Sequence, residues 1–249
     1  ALPLYQRFLK HRTETRGADH PLTLSAMNNV AAALEGLGRY DEALPIYERV
    51  LAAEEEILGE GHPDTLVTRH NLAFLLQGMG APERAEPIYR ATLERCREVF
   101  GPAHPGTLTC TRSLASLLID TGRAAEAREL IENARPEARR ALGEGHPVTI
   151  TLDIGLARAL SALDQHAQSA LRYASVAERA ASVFGPTGDT TLRAWLGAAR
   201  ENLAAGEPET ALRIAERTRD TAAQSLEAGH ELLAALDEVA ARARDEQDL

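Results

Sequence analysis

A period of 42 residues governs this chain. His20-Pro21-Leu22-Thr23-Leu24 returns as His62-Pro63-Asp64-Thr65-Leu66, then as His104-Pro105-Gly106-Thr107-Leu108 and His146-Pro147-Val148-Thr149-Ile150. A fifth copy, Gly188-Asp189-Thr190-Thr191-Leu192, lacks the His-Pro, and His230 restores the histidine on schedule. Gly17, Gly59, Gly101, Gly143 and Gly185 keep the same interval three residues ahead. A repeat this short cannot bury its apolar face alone, so each unit must stack on its neighbours.

Within a unit the apolar residues fall on a helical period. Ala85, Ile88, Tyr89, Leu93, Cys96 and Phe100 share one stripe, with Glu83, Arg90, Glu94 and Arg97 outside it. Gly59, Gly101 and Gly143 follow the last apolar residue, where a left-handed cap favours glycine. Pro21, Pro63, Pro105 and Pro147 restart the chain at a first helical turn, where a missing N–H costs nothing. Gly38, Gly80, Gly122 and Gly206 mark a turn between the two helices of each unit. Pro136 falls inside a predicted helix and predicts a kink between Glu132 and Pro136. The reading is all-α: a right-handed superhelical solenoid of antiparallel helix pairs. Its segments are a second helix of a truncated repeat at 1–19, full repeats at 20–61, 62–103, 104–145, 146–187 and 188–229, and a capping helix at 230–249. Ala1-Leu2-Pro3-Leu4-Tyr5 aligns with Ala43-Leu44-Pro45-Ile46-Tyr47, so the sequence opens inside a repeat and reads as part of a longer polypeptide.

Composition excludes several function classes. With 37 acidic against 27 basic side chains the net charge is −10, opposite to the positive field that non-specific nucleic-acid binding needs. Aromatic residues are 4% of the chain and hydrophobic residues 44%, so alanine and leucine supply most of the apolar surface. Helices packed closely on small side chains follow. No apolar run approaches the roughly 18 residues of a membrane span, and Ala1 to Gln6 show no targeting pattern. The chain reads as soluble and cytoplasmic. Cys96 and Cys110 are too few for a disulfide framework and look like small packing residues in a reducing compartment.

These residues resemble the tetratricopeptide repeat family, in the 42-residue variant found in kinesin light chains and many bacterial signalling proteins. The signature is a large-small pair and a further large residue in the first helix, then small, aromatic and small or apolar residues in the second. Leu72-Ala73, Leu76, Ala85, Tyr89 and Thr92 hold those places, as do Val30-Ala31, Leu34, Ala43, Tyr47 and Val50, then Leu114-Ala115, Leu118, Ala127, Ile131 and Ala134. Alanine at the crossing lets two helix axes approach to roughly 8–10 Å. The pattern weakens at Ala198-Ala199 and Asn202, although Trp195 stands where the family often has tryptophan.

Chemistry finds little foothold. Histidines one repeat apart lie roughly 16–20 Å from each other and cannot share an ion; each is expected to cap the next helix. His230-Glu231 lacks the second histidine of a zinc-protease motif, since Ala234 stands there. No phosphate-binding glycine loop, Gly-x-Ser-x-Gly turn or dinucleotide fingerprint is present. No catalytic residue, cofactor site or metal site is expected.

What remains is a surface. The resemblance implies that the first helix of each pair lines a concave groove for a peptide or protein segment. The candidate groove residues are Asn28, Asn29, His70, Asn71, Phe74, Arg112, Ser116, Arg158, Arg193 and Arg200. Asn29 and Asn71 match asparagines that hold a peptide backbone in kinesin-light-chain-like repeats, and the match lapses at Ser113, Gly155 and Gly197. The arginines either offer positive charge to an acidic ligand or pair with neighbouring carboxylates. The expected function is a protein-interaction module, the recognition or regulatory arm of a larger signalling protein. The alternatives are a substrate-presenting domain of an enzyme whose catalytic part lies upstream, or a self-association scaffold.

Overall fold

A computed structural model describes residues 2–247, which form twelve α-helices with no strand among them. The order is α1 (Leu2–Arg16), α2 (Pro21–Glu35), α3 (Tyr40–Ile57), α4 (Pro63–Gly78), α5 (Pro82–Phe100), α6 (Pro105–Asp120), α7 (Ala124–Leu142), α8 (Pro147–Ser161), α9 (His166–Phe184), α10 (Asp189–Ala204), α11 (Pro208–Ala222) and α12 (Glu231–Gln247). Ala1 and residues 248–249, the outer ends of the first and last expected segments, lie outside the described residues. The chain forms two compact units, Ala1–Leu117 and Leu118–Leu249. In the N-terminal unit each helix from α1 to α4 packs on the next, and the first helices α2 and α4 also touch. In the C-terminal unit the same succession runs from α7 to α12, and α10 also touches α12.

The recurring His-Pro-x-Thr-Leu motif explains why the helices start where they do. His20, His62 and His146 are N-caps in extended conformation whose ring nitrogen accepts the N–H two residues on, at 3.1–3.2 Å. His104 and His230 accept from Gly106 and Leu232 in the same way. Proline at the next position gives up an N–H that has no helical partner. The threonine turns inward, and in two repeats its hydroxyl donates to the carbonyl of the glycine closing the preceding helix, Thr107 to Gly101 at 2.8 Å and Thr191 to Gly185 at 2.9 Å. The last motif residue enters the core: Leu24, Leu66, Leu108, Ile150 and Leu192 are buried.

The helix-crossing residues are buried as the repeat pattern requires. Ala31, Ala43, Ala73 and Ala85 are fully inaccessible, and Tyr47 and Tyr89 fill the adjoining grooves. Each buried tyrosine hydroxyl donates across its hairpin, Tyr47 to Glu35 at 3.0 Å and Tyr89 to Gln77 at 3.2 Å, which satisfies the polar end of a deeply packed ring. In the C-terminal unit Ile131, Leu156, Ala157, Ala198 and Ala199 are likewise buried.

Two details add to the sequence reading. Gly38, Gly80, Gly122 and Gly206 turn with positive φ, and the fifth member of that series is Asp164 at φ 58°, the one described non-glycine residue in this region. α7 is continuous from Ala124 to Leu142 with Pro136 inside it, and Pro45 and Pro87 likewise sit inside α3 and α5. All three prolines are exposed, so water can take the carbonyl that each leaves without a helical partner.

Candidate functional site

On the first helices of the N-terminal unit three of the expected groove residues, Asn28, His70 and Asn71, form a connected polar ladder with Thr68 and Ser113. Asn28 on α2 donates its amide to Thr68 Oγ1 on α4 at 2.8 Å, and Asn71 Nδ2 donates to Asn28 Oδ1 at 3.4 Å. His70 Nδ1 lies 3.5 Å from Asn71 Oδ1, and His70 Nε2 lies 3.0 Å from Ser113 Oγ on α6. Burial pushes the His70 pKa below its ordinary value, opposed by the hydrogen bond to Asn71 and reinforced by the Arg112 charge. The ring is therefore neutral near pH 7. Because a carboxamide oxygen only accepts, Nδ1 carries the proton and the Ser113 hydroxyl donates to Nε2. His70 also leans on Tyr89, with ring centroids 5.6 Å apart.

Around the ladder stand the other expected groove residues of this unit. Phe74, one helical turn beyond His70, is 50% exposed, a large apolar ring held at the surface by a helix whose other face is core. Asn29 is exposed. Arg112 is half-buried beside His70 and Tyr89 and makes no ion pair with a described residue. Ser116 is half-buried and has a partner. Asn28, His70 and Asn71 thus come together directly, with Thr68 and Ser113 as links.

In the C-terminal unit the arginines divide. Arg158 reaches Asp120 at 3.1 Å, and Arg193 is held by Asp189 at 2.8 Å and Glu231 at 2.9 Å. Arg200 is exposed, makes no ion pair with a described residue, and stands between two small clefts, one shared with Arg193 and Glu231 and one with Glu238 and Arg242. The asparagine series lapses here for a steric reason. A Cβ on Gly197 would fall 2.8 Å from the Tyr173 ring and one on Gly155 would fall 3.0 Å from Ile131 Cδ1, so second-helix side chains fill the space a carboxamide would need.

The tetratricopeptide repeat model matches this sequence at residues 1–56, 24–90, 64–130 and 110–180. The chain belongs to the tetratricopeptide repeat family. A kinesin light chain-like protein of Podosopora anserina with nearly identical repeats superposes with a TM-score of 0.71 at 24% identity, over 84% of this chain and 99% of that one. BtubC of P. vanneervenii gives 0.74 at 16% identity, over 92% of each chain. A signal-transduction ATPase with numerous domains and a tetratricopeptide repeat sensor, from Pyrococcus horikoshii, gives 0.71 at 13% identity, over 98% of this chain and 39% of that one. At these identities the likeness is one of fold. A search of curated proteins found no match.

Several strong interactions of these tetratricopeptide repeats escape a periodic reading. Asp153 on α8 is fully buried, and three guanidiniums converge on it: Arg135, Arg139 at 3.4 Å and Arg179 at 2.6 Å. Burial alone would raise its pKa, but Arg135 and Arg179 outweigh that and hold it below the ordinary carboxylate value. Glu54 on α3 is buried to 1% exposure, and burial raises its pKa against the opposing hydrogen bond from Thr68. Cys96 and Cys110, both buried, lie with sulfurs 3.9 Å apart at the repeat positions that Glu54 and Thr68 hold one unit earlier. No group of three metal-binding side chains occurs among the described residues, and no described helix is long and apolar enough to cross a membrane.

Proposed function

We propose that the first-helix face of the N-terminal unit captures an extended segment of a partner protein. Tetratricopeptide repeats generally mediate protein–protein interaction, and this chain carries them across most of its length. The observation behind the specific reading is the ladder itself. Side chains from α2, α4 and α6 hold one another in fixed orientation, so Asn28 and Asn71 keep a preset geometry for the remaining donors and acceptors of their carboxamides. Phe74 offers an apolar anchor beside them and Arg112 an uncompensated positive charge, which favours a segment combining an apolar side chain with an acidic one.

Arg158 and Arg193 take no part in this reading, because carboxylates of the chain already occupy them. A role as the recognition arm of a larger signalling protein rests on analogy with the repeat sensor of the Pyrococcus ATPase.

The test is selection from a random peptide display library, followed by affinity measurement on the chain and on a Phe74→Ala/Arg112→Gln variant. Peptides that bind the unaltered chain should lose at least about tenfold in the double variant. Equal affinity for both proteins removes this face as the site.

A further inference from the structure

We infer that the C-terminal unit holds a binding site for a small organic anion with an aromatic body, in a cavity between α9, α10 and α11 floored by Trp195. The cavity measures about 330 Å³, at the small end of ligand sites and suited to a molecule of one or two rings.

Its origin is legible against the preceding repeat. Trp195 stands at the position that Asp153 holds one unit earlier, where Arg135, Arg139 and Arg179 crowd in from the flanking helices. The counterparts of those arginines are Ala177, Ala181 and Thr221. Three long side chains have become short ones, and two of them, Ala181 and Thr221, line the cavity together with Trp195.

The chemistry of the rim selects the ligand. Arg213 and Arg217 stand one turn apart on α11, both exposed, and neither makes an ion pair with a described residue. In the same unit Arg135, Arg139, Arg158, Arg179, Arg193 and Arg219 all have carboxylate partners. Within the cavity's own lining Glu178 on α9 is the one carboxylate against these two guanidiniums, while Glu209, Glu216 and Asp220 line an adjoining cleft that Arg213 and Arg217 also border. The hydroxyls of Thr191, Thr218 and Thr221 are committed to backbone carbonyls, whereas the Trp195 indole N–H makes no hydrogen bond to a described residue. An apolar chamber, one free donor and two unengaged guanidiniums describe a ring-bearing carboxylate, sulfonate or phosphate.

Trp195 is the sole tryptophan, so its emission reports this site alone. The probe is 5-(dimethylamino)naphthalene-1-sulfonate, a two-ring sulfonate, read by energy transfer from Trp195. Saturable one-to-one transfer is expected, weakened at least about tenfold in Arg213→Gln/Arg217→Gln and lost in Ala181→Leu, which refills the chamber, with melting temperatures of both variants close to that of the unaltered chain. Naphthalene-1-methylamine, a cation of similar ring, should fail to displace the probe. Absence of saturable transfer, full affinity in the double arginine variant, or displacement by the amine each overturns the assignment.

Discussion

Arg69 and Asp153 occupy the same repeat position two units apart, and each pairs with a partner at one further common position, so that Glu55–Arg69 and Arg139–Asp153 are the same bridge with its charges exchanged. Each bridge ties a second helix to the first helix of the next repeat, α3 to α4 and α7 to α8. The fold fixes the distance between the two positions and leaves the polarity open.

That freedom is testable in the N-terminal unit, where the Arg69 side chain is only 14% exposed. Arg69→Glu alone places two carboxylates together and should cost about 1–3 kcal/mol in urea unfolding. Glu55→Arg combined with Arg69→Glu should recover most of that loss. A double variant no more stable than the single one would show that the polarity is not free.

Asp153 should be the most costly acidic residue to alter. Asp153→Asn leaves three guanidiniums facing one another at a fully buried position, and a loss of about 3–5 kcal/mol is expected. Its folded pKa lies below the unfolded one, so the unfolded state binds the proton more readily. The Asp153 contribution is therefore complete above the ordinary aspartate value and disappears as pH falls through the lower folded value. Denaturation midpoints across acid pH should drop for the unaltered chain and drop less for the variant. Equal acid sensitivity would remove Asp153 as the source.

Much of this was open to a reader of the sequence, and the limit has a physical cause. The histidine caps, the proline starts and the buried alanine–tyrosine crossings depend on residues close together within one repeat, so spacing reveals them. The Asp153 cluster draws on residues 14, 18 and 26 positions away on the two flanking helices, and the Asp153 position itself carries Met27, Arg69, Thr111 and Trp195 in the other units. The ladder lies between: Asn28–Asn71 and His70–Ser113 share a separation of 43, one more than the period. Side chains on adjacent first helices meet one residue out of phase, so comparing aligned positions alone misses the pairs.

Asp164 carries strain that its counterparts avoid. An L-residue at φ 58° costs about 1 kcal/mol or somewhat more, relieved in part for aspartate, whose short polar side chain bonds locally. Asp164→Gly should raise stability by about 0.5–1 kcal/mol in thermal unfolding. A lower melting temperature would mean that the carboxylate, 3.8 Å from His166, stabilises the turn more than its backbone strains it.

Cys96 and Cys110 should be silent toward thiol reagents in the folded chain. Both are buried, and the Cys110 pKa is pushed up by its hydrogen bond to Cys96 and by burial. Ellman's reagent should titrate both thiols in urea and neither at a comparable rate in buffer. Fast reaction in buffer would place at least one sulfur at the surface.

The most direct test of the binding face uses side-chain amide resonances. Asn28, Asn29 and Asn71 stand on the first-helix face of the N-terminal unit, while Asn133 on α7 and Asn202 on α10, whose amide donates to Ala198, serve as internal references. On titration with a selected peptide, the carboxamide signals of Asn28, Asn29 and Asn71 are predicted to shift together while those of Asn133 and Asn202 stay still. Movement of the reference signals with the other three unchanged would contradict the account.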